Sequence, residues 1–249
     1  LHLSIRRQRQ MCIRDRSMVL RKLDRNINDP SIIYEKEINL LPKLIKQGDI
    51  VIDIGANRGE FTYYLSKLVG DAGFVFAFEP GKRAWTLLVR TIIKYNLNNC
   101  IPIKHALGDE SKKGILSTSP YLFREARINQ NHKGEEEVVH IKTIDEMFLN
   151  YLPINFIKCD VDGFELNVIK GAIKTLSRYK PILLIEITQD QDKIMELLSN
   201  IGYKCYSYNI KTNQLESDYP RLQVGVSVWS SINNDLSNNN YIFSHEQIS

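Results

Sequence analysis

Along this chain, short β-branched apolar runs alternate with longer stretches whose apolar residues recur at three- and four-residue steps. The runs at 50–54, 74–78, 101–105, 156–160, 182–187, 203–208 and 224–229 have the length and composition of strands. The stretches at 31–46, 59–69, 82–95, 164–176 and 190–200 read as helices, with Gly48 as the stop of the first. Strands alternating with helices of this length pair in parallel through crossover connections. Only a polar loop, 209–220, separates the last two strands, so these are expected to pair antiparallel at one edge. The pattern predicts an α/β fold: a mostly parallel seven-stranded sheet with an antiparallel edge strand and helices on both faces.

The alternation breaks once, over 109–152. A short hairpin at 115–118 and a charged loop over 124–137 are expected there. Thr143 and Glu146 in TIDEMF have capping-box spacing, which opens a helix. Polar insertions of this length are often functional loops, so 109–152 is a candidate substrate region. The domain itself is expected over 49–232, after a helical lead-in at 18–48 and before a polar, fraying tail at 233–249.

Charge changes the picture at the N-terminus. The 249 residues carry a formal net charge of +4. Residues 6–16, RRQRQMCIRDR, resemble the translation of a transposon-type sequencing-library adapter, so 1–17 is read as a non-native segment. It contains Arg6, Arg7, Arg9, Arg14 and Arg16 against Asp15; 33 less five and 29 less one leave 28 charges of each sign. No net basicity then remains to draw the chain to nucleic acid. The four cysteines, Cys12, Cys100, Cys159 and Cys205, form no close pair, which fits a reducing compartment. No run is long enough to span a membrane and no leader is evident, so a cytoplasmic location is expected.

The candidate chemistry starts at VIDIGANRGEF, residues 51–61. Gly55 and Gly59 let the backbone turn away from a buried strand and approach a ligand, but Asn57 stands where a dinucleotide fingerprint has its middle glycine. Asp53 puts a carboxylate under that bend. It would repel a pyrophosphate and attract a cationic amine, which favours the amino-acid end of S-adenosylmethionine over NAD. Glu79 closes the second strand in VFAFEP, where an acid commonly accepts from ribose hydroxyls; a helix-dipole role is the alternative. In HALGDE, Ala106 and Leu107 can pack an adenine. Asp109 is either an acceptor for its exocyclic amine or a turn acid beside Gly108.

Taken in order, VIDIGANRGEF, VFAFEP, HALGDE, IKTIDEMF, FIKCDVDGFELNVIKGA and PILLIEI resemble the FkbM family of S-adenosylmethionine-dependent methyltransferases, over about 34–230. The resemblance implies a Rossmann-like class I methyltransferase fold with S-adenosylmethionine as cofactor. It also implies a cofactor set of Asp53, Gly55, Ala56, Asn57, Gly59, Phe61, Glu79, Pro80, Ala106, Leu107 and Asp160, with Asp109 added from the reading above. One departure stands out: Asp162 in DVDG replaces the usual Glu, keeping the charge and losing about one bond of reach.

Methyl transfer to a hydroxyl needs alignment of acceptor and donor, and a base for the hydroxyl proton. Asp160, Asp162 and Glu186 are the candidate catalytic carboxylates, at the ends of the fourth and fifth core strands. Asp160 and Asp162 could also suit a metal, but strand residues two apart share a face only if the strand continues through Gly163; no metal ligand is assigned. His105, His132 and His140 are weaker candidates, and Glu165 either serves the site or complements a helix dipole. No Asn-Pro-Pro-aromatic tetrapeptide or motif-borne cysteine pair points to amine or carbon methylation. The expected reaction is O-methylation of a small-molecule or glycan hydroxyl, the acceptor being a saccharide or a secondary metabolite. Two alternatives are a nicotinamide-dependent oxidoreductase and a cofactor-binding module without catalysis. The pattern does not speak to oligomeric state.

Overall fold

Residues 50–54, IVIDI, form a strand buried from Val51 onward, as expected of a run flanked by strands and covered on both faces. In the computed structural model, which describes residues 36–118, 126–128, 135–209, 214–217 and 240–246, this strand (β1, Ile50–Ile54) lies inside an eight-stranded sheet. Beside it run β2 (Phe74–Phe78), β3 (Cys100–Ile103), β8 (Phe156–Cys159) and β9 (Ile182–Glu186), all parallel. Beyond β9 come β12 (Asn240–Ser244), β10 (Lys204–Asn209) and β11 (Gln214–Ser217), each antiparallel to its neighbour. The sheet order is β11-β10-β12-β9-β8-β1-β2-β3.

The helices follow the crossovers. They are α2 (Glu60–Val69), α3 (Lys82–Lys94), α5 (Glu165–Lys170), α6 (Ile173–Tyr179) and α7 (Gln191–Asn200). Apolar residues on one sheet face, among them Ile52, Ile54, Phe78 and Ile157, pack with Leu166, Leu176, Ile194 and Leu198 in the main core. On another cluster, Ala56, Ala77 and Leu88 meet Trp85 and Ile92. Each fully buried Leu or Ile of these clusters contributes about 1.5–3 kcal/mol of transfer free energy.

Two expected helices come out divided. The stretch predicted as one helix over 164–176 is split into α5 and α6 at Gly171, whose Cα hydrogen stands where a Cβ would lie 1.9 Å from the Gly108 carbonyl oxygen. That close backbone approach ties the third and fourth motif segments together. The lead-in predicted over 31–46 gives, in its described part, a 3-10 turn (Lys36–Asn39) and a one-turn helix α1 (Leu41–Leu44) with Pro42 in its first turn, where the missing N–H is tolerated. The chain divides into two units, Leu1–Asn39 and Leu40–Ser249, and the sheet belongs to the second.

The insertion is a second sheet. β4 (Ala106–Leu107), β5 (Lys112–Thr118), β6 (Ala126–Ile128) and β7 (Glu135–Lys142) take the order β4-β7-β5-β6. The hairpin expected at 115–118 is part of β5, which pairs antiparallel with both β6 and β7. Ala106, Leu116, Ile128, Val139 and Ile141 form its core, with Phe164 packed against them. Helix α4 (Ile144–Phe148) follows, and Thr143 accepts from the Glu146 N–H at 3.0 Å, as the capping-box spacing predicts.

The tail needs a correction. Asn240–Ser244, expected to fray, is the strand inserted between β9 and β10, with Ile242 and Phe243 each 1 % exposed. Both of its edges are hydrogen-bonded, so the domain does not stop at 232. The Asn-rich run before it hid a short strand whose burial comes only from its neighbours. The strand predicted at 224–229 lies outside the described residues.

Candidate donor and acceptor site

The parallel strands β1, β2 and β8 end at one edge, and their loops bring the first, second and fourth motifs together. After Ile54 the chain bends at Gly55 (φ 77°) and Asn57 (φ 48°) and enters α2 through Gly59 (φ 89°). A Cβ on Gly55 would sit 1.8 Å from the Asp160 carbonyl oxygen, so only glycine lets the bend lie against the end of β8. The N–H groups of Gly55 and Ala56 both donate to the Phe78 carbonyl, at 3.0 and 2.9 Å, which locks the bend to β2.

Asp53 lies beneath this bend and is fully buried. Its Oδ2 accepts from the Thr62 hydroxyl at 2.6 Å, while Oδ1 is buried and makes no hydrogen bond. Burial raises its pKa, and the Lys158 ammonium opposes that shift. A buried carboxylate oxygen with no hydrogen bond, and only the Lys158 ammonium 4.0 Å away, fits a site whose ligand brings its own donors.

Glu79 has a more specific position than the sequence indicates. Its Oε2 accepts from the Asn57 N–H at 2.9 Å and its Oε1 from the Gly81 N–H at 2.8 Å. The carboxylate therefore braces the glycine bend against the start of α3. Burial pushes its pKa up to about 7, against the pull of those two N–H groups. Phe61 and Ala56 are buried beside the bend, and Pro80 is half-buried.

The adenine-side residues divide. Ala106 and Leu107 are both buried, but in β4 of the second sheet, since β3 ends at Ile103. Asp109 is exposed and lies 3.7 Å from the Lys112 ammonium, the geometry of a turn acid with an ion-pair partner. His105 and His140 approach with ring centroids 5.9 Å apart, and His132 lies outside the described residues.

At the fourth strand the acids separate. β8 ends at Cys159, and Asp162 (φ 47°) and Gly163 (φ 94°) are left-handed, so Asp160 and Asp162 do not share a strand face. The i, i+2 arrangement a metal pair would need is not formed. Among the described residues, no group of three or more His, Cys, Asp and Glu side chains is placed to hold a metal ion. The register of Cys159 with Ile185 puts Asp160 and Glu186 level at the same edge, both partly exposed. Glu165 turns inward at the start of α5. It accepts from the Gly163 N–H at 2.9 Å, lies 3.4 Å from the Thr188 hydroxyl, and burial raises its pKa. It thereby links the β8 turn to the loop after β9.

Sequence reasoning missed Lys158. It sits within an otherwise apolar strand, 5 % exposed, with its ammonium 2.9 Å from Asp160 Oδ2 and 4.0 Å from Asp53 Oδ1. The signal was present as a lysine inside FIKC, where a strand covered on both faces has no ordinary use for a charge. Glu137 was missed as well. It reaches from β7 to accept from the Lys82 N–H at 2.7 Å, at the first turn of α3.

The methyltransferase FkbM domain model matches residues 53–205. Methyltransferase 1 of Beauveria bassiana is 25 % identical over 173 residues, covering 60 % of this chain and 68 % of that protein. Hexuronic acid methyltransferase AglP of Haloferax volcanii is 29 % identical over 168 residues, covering 65 % and 66 %. In fold, the chain is similar to methyltransferase FkbM from Methylobacillus flagellatus KT (TM-score 0.51, 16 % identity), covering 78 % of this chain and 43 % of that one. A SAM-dependent O-methyltransferase from Thermotoga maritima gives TM-score 0.50 at 16 % identity, covering 90 % and 70 %. The chain thus spans about two thirds of the two curated relatives and less than half of the Methylobacillus chain. The family match decides against the nicotinamide-dependent alternative. With its Rossmann-like class I sheet and S-adenosylmethionine as cofactor, the chain belongs to the FkbM methyltransferase family.

Proposed function

We propose that this chain transfers the methyl group of S-adenosylmethionine to a hydroxyl of a saccharide, with a uronic-acid-bearing glycan as the first acceptor class to test. The observation that carries the reading is the position of Asp160. Its backbone lies against the Gly55 bend, its carboxylate is 2.9 Å from the Lys158 ammonium, and the residue follows β8 level with Glu186 after β9. One residue thus borders both the donor bend and the free strand ends where an acceptor would enter. The similarity to hexuronic acid methyltransferase AglP supports a sugar acceptor. A secondary-metabolite hydroxyl would demand the same chemistry.

In this reading Asp53, Gly55, Asn57 and Glu79 would hold the donor, Asp53 attracting its ammonium and Glu79 accepting from its ribose hydroxyls. S-adenosylmethionine supplies an electrophilic methyl group. Its methyl carbon would bond to the acceptor oxygen, the electron pair of the broken C–S bond remaining on sulfur. The hydroxyl proton passes to a carboxylate at the shared edge, with Asp160 assigned as base and Glu186 as the group that orients the acceptor. Asp162 shapes the turn between them.

The test is mass spectrometry of uronic-acid oligosaccharides incubated with the protein and S-adenosylmethionine. A gain of one methyl group per chain is expected, and Asp160→Asn is expected to cut its rate about a hundredfold while leaving the melting temperature near that of the wild type. Wild-type rates in that variant remove Asp160 as base. Binding of S-adenosylhomocysteine without transfer to any hydroxyl acceptor would leave a cofactor-binding module.

A further inference from the structure

Lys158 is the one charged side chain of β8, and it is buried in the row Asp53–Lys158–Asp160. Asp53 and Lys158 are register partners across β1 and β8, so both side chains leave the sheet on one face. The ammonium lies 4.8 Å from the centroid of the Phe61 ring, on the first turn of α2. Its contacts include a hydrogen-bonded carboxylate, a more distant carboxylate and an aromatic face. A strand core gains nothing from such a charge by itself, since burying an ion pair seldom stabilises more than apolar packing does.

The row adds up to one negative charge when both acids are ionised. The donor's sulfonium and ammonium are positive and its carboxylate negative, so S-adenosylmethionine brings one positive charge and S-adenosylhomocysteine none. Transfer of the methyl group removes the sulfonium charge. A site with two uncompensated carboxylates would hold the sulfonium more tightly than the transition state, where that charge is fading, and would slow the reaction.

We propose that Lys158 is a positioning residue that sets the charge of the donor site, neutralising part of the Asp53 and Asp160 field so that the sulfonium is bound without being over-stabilised. This rests on the donor reading given above. Lys158 acts through Asp160, whose Oδ2 it holds at hydrogen-bond distance, and through Asp53, whose ionised form it favours.

Equilibrium binding of S-adenosylmethionine and S-adenosylhomocysteine, measured by calorimetry without acceptor, tests this in the full chain. In Lys158→Met the ratio of the two dissociation constants is expected to move about fivefold or more toward S-adenosylmethionine, because the row loses its one positive charge. Lys158→Arg, which keeps the charge, is expected to stay within about twofold of the wild-type ratio. Lys158→Met combined with Asp160→Asn is expected to bring the ratio back to the wild-type value or below it. If both ligands weaken in parallel in Lys158→Met, the lysine is structural and the proposal fails. If Lys158→Met does not fold, Lys158→Gln takes its place, and an unchanged ratio there overturns the proposal equally. A wild-type protein that binds neither ligand overturns the donor reading itself, and this inference with it.

Discussion

Glu79 joins burial to function through a proton. Its carboxyl, pushed up to about 7, is largely neutral at pH 6 and largely ionised at pH 8. In the proposed site ribose hydroxyls would donate to the ionised form, so donor binding at pH 6 would first release a proton. The affinity for S-adenosylhomocysteine is therefore expected to rise with pH, by up to about tenfold per unit below 7, and to level off above it. Calorimetry across pH 6–8 checks this, and Glu79→Gln is expected to remove the pH dependence. Glu79→Ala, which also frees the Asn57 and Gly81 N–H groups, is expected to weaken binding by about 1–3 kcal/mol. At the same scale, Asp53, Gly55, Asn57 and Glu79 could be read from residue type and spacing, because the demand for a bend and a charge is local. Lys158 could not, because its meaning depends on which carboxylates flank it across two strands.

Elements depend on contacts that no local pattern states. The β1–α2 bend requires glycine at 55 both for its φ of 77° and for the Asp160 carbonyl beneath it. Gly55→Ala is expected to cost about 3 kcal/mol or more, read as a lowered urea midpoint, and to abolish S-adenosylhomocysteine binding. β12 shows the converse. Its residues sit in a polar stretch, yet Phe243 is 1 % exposed and pairs with β9 and β10 on either side. Phe243→Ala is expected to cost about 3–5 kcal/mol, measured by denaturant unfolding, although it lies in what reads as a tail. Strands β1, β2, β8 and β9 were legible because burial on both faces requires continuous apolar runs. A strand of five residues within a polar segment carries too little pattern to be seen.

At the scale of the whole molecule, the insertion sheet and the glycine bend braced by Glu79 form one electrostatic system. Glu137 on β7 holds the Lys82 N–H at the start of α3, and its charge raises the pKa of Glu79. Glu137→Gln is expected to move the midpoint of the pH profile for S-adenosylhomocysteine binding to lower pH, since ionised Glu79 then loses a repelling neighbour; the same calorimetric series measures it. Phe164, from the fourth motif, packs into the insertion's core, so the turn after β8 and the insertion sheet are fixed by one cluster. Among the described residues no helix is long and apolar enough to cross a membrane. By itself, the sequence determined the alternation of strand and helix, the class of fold and the residues of the glycine bend, because hydrophobic period and backbone freedom are properties of neighbouring residues. Only the tertiary structure decided which distant groups share charge: Lys158 between two acids, Glu137 beside Glu79, Asp160 level with Glu186. Electrostatic coupling follows distance through the folded protein, and the chain's own order does not contain that distance.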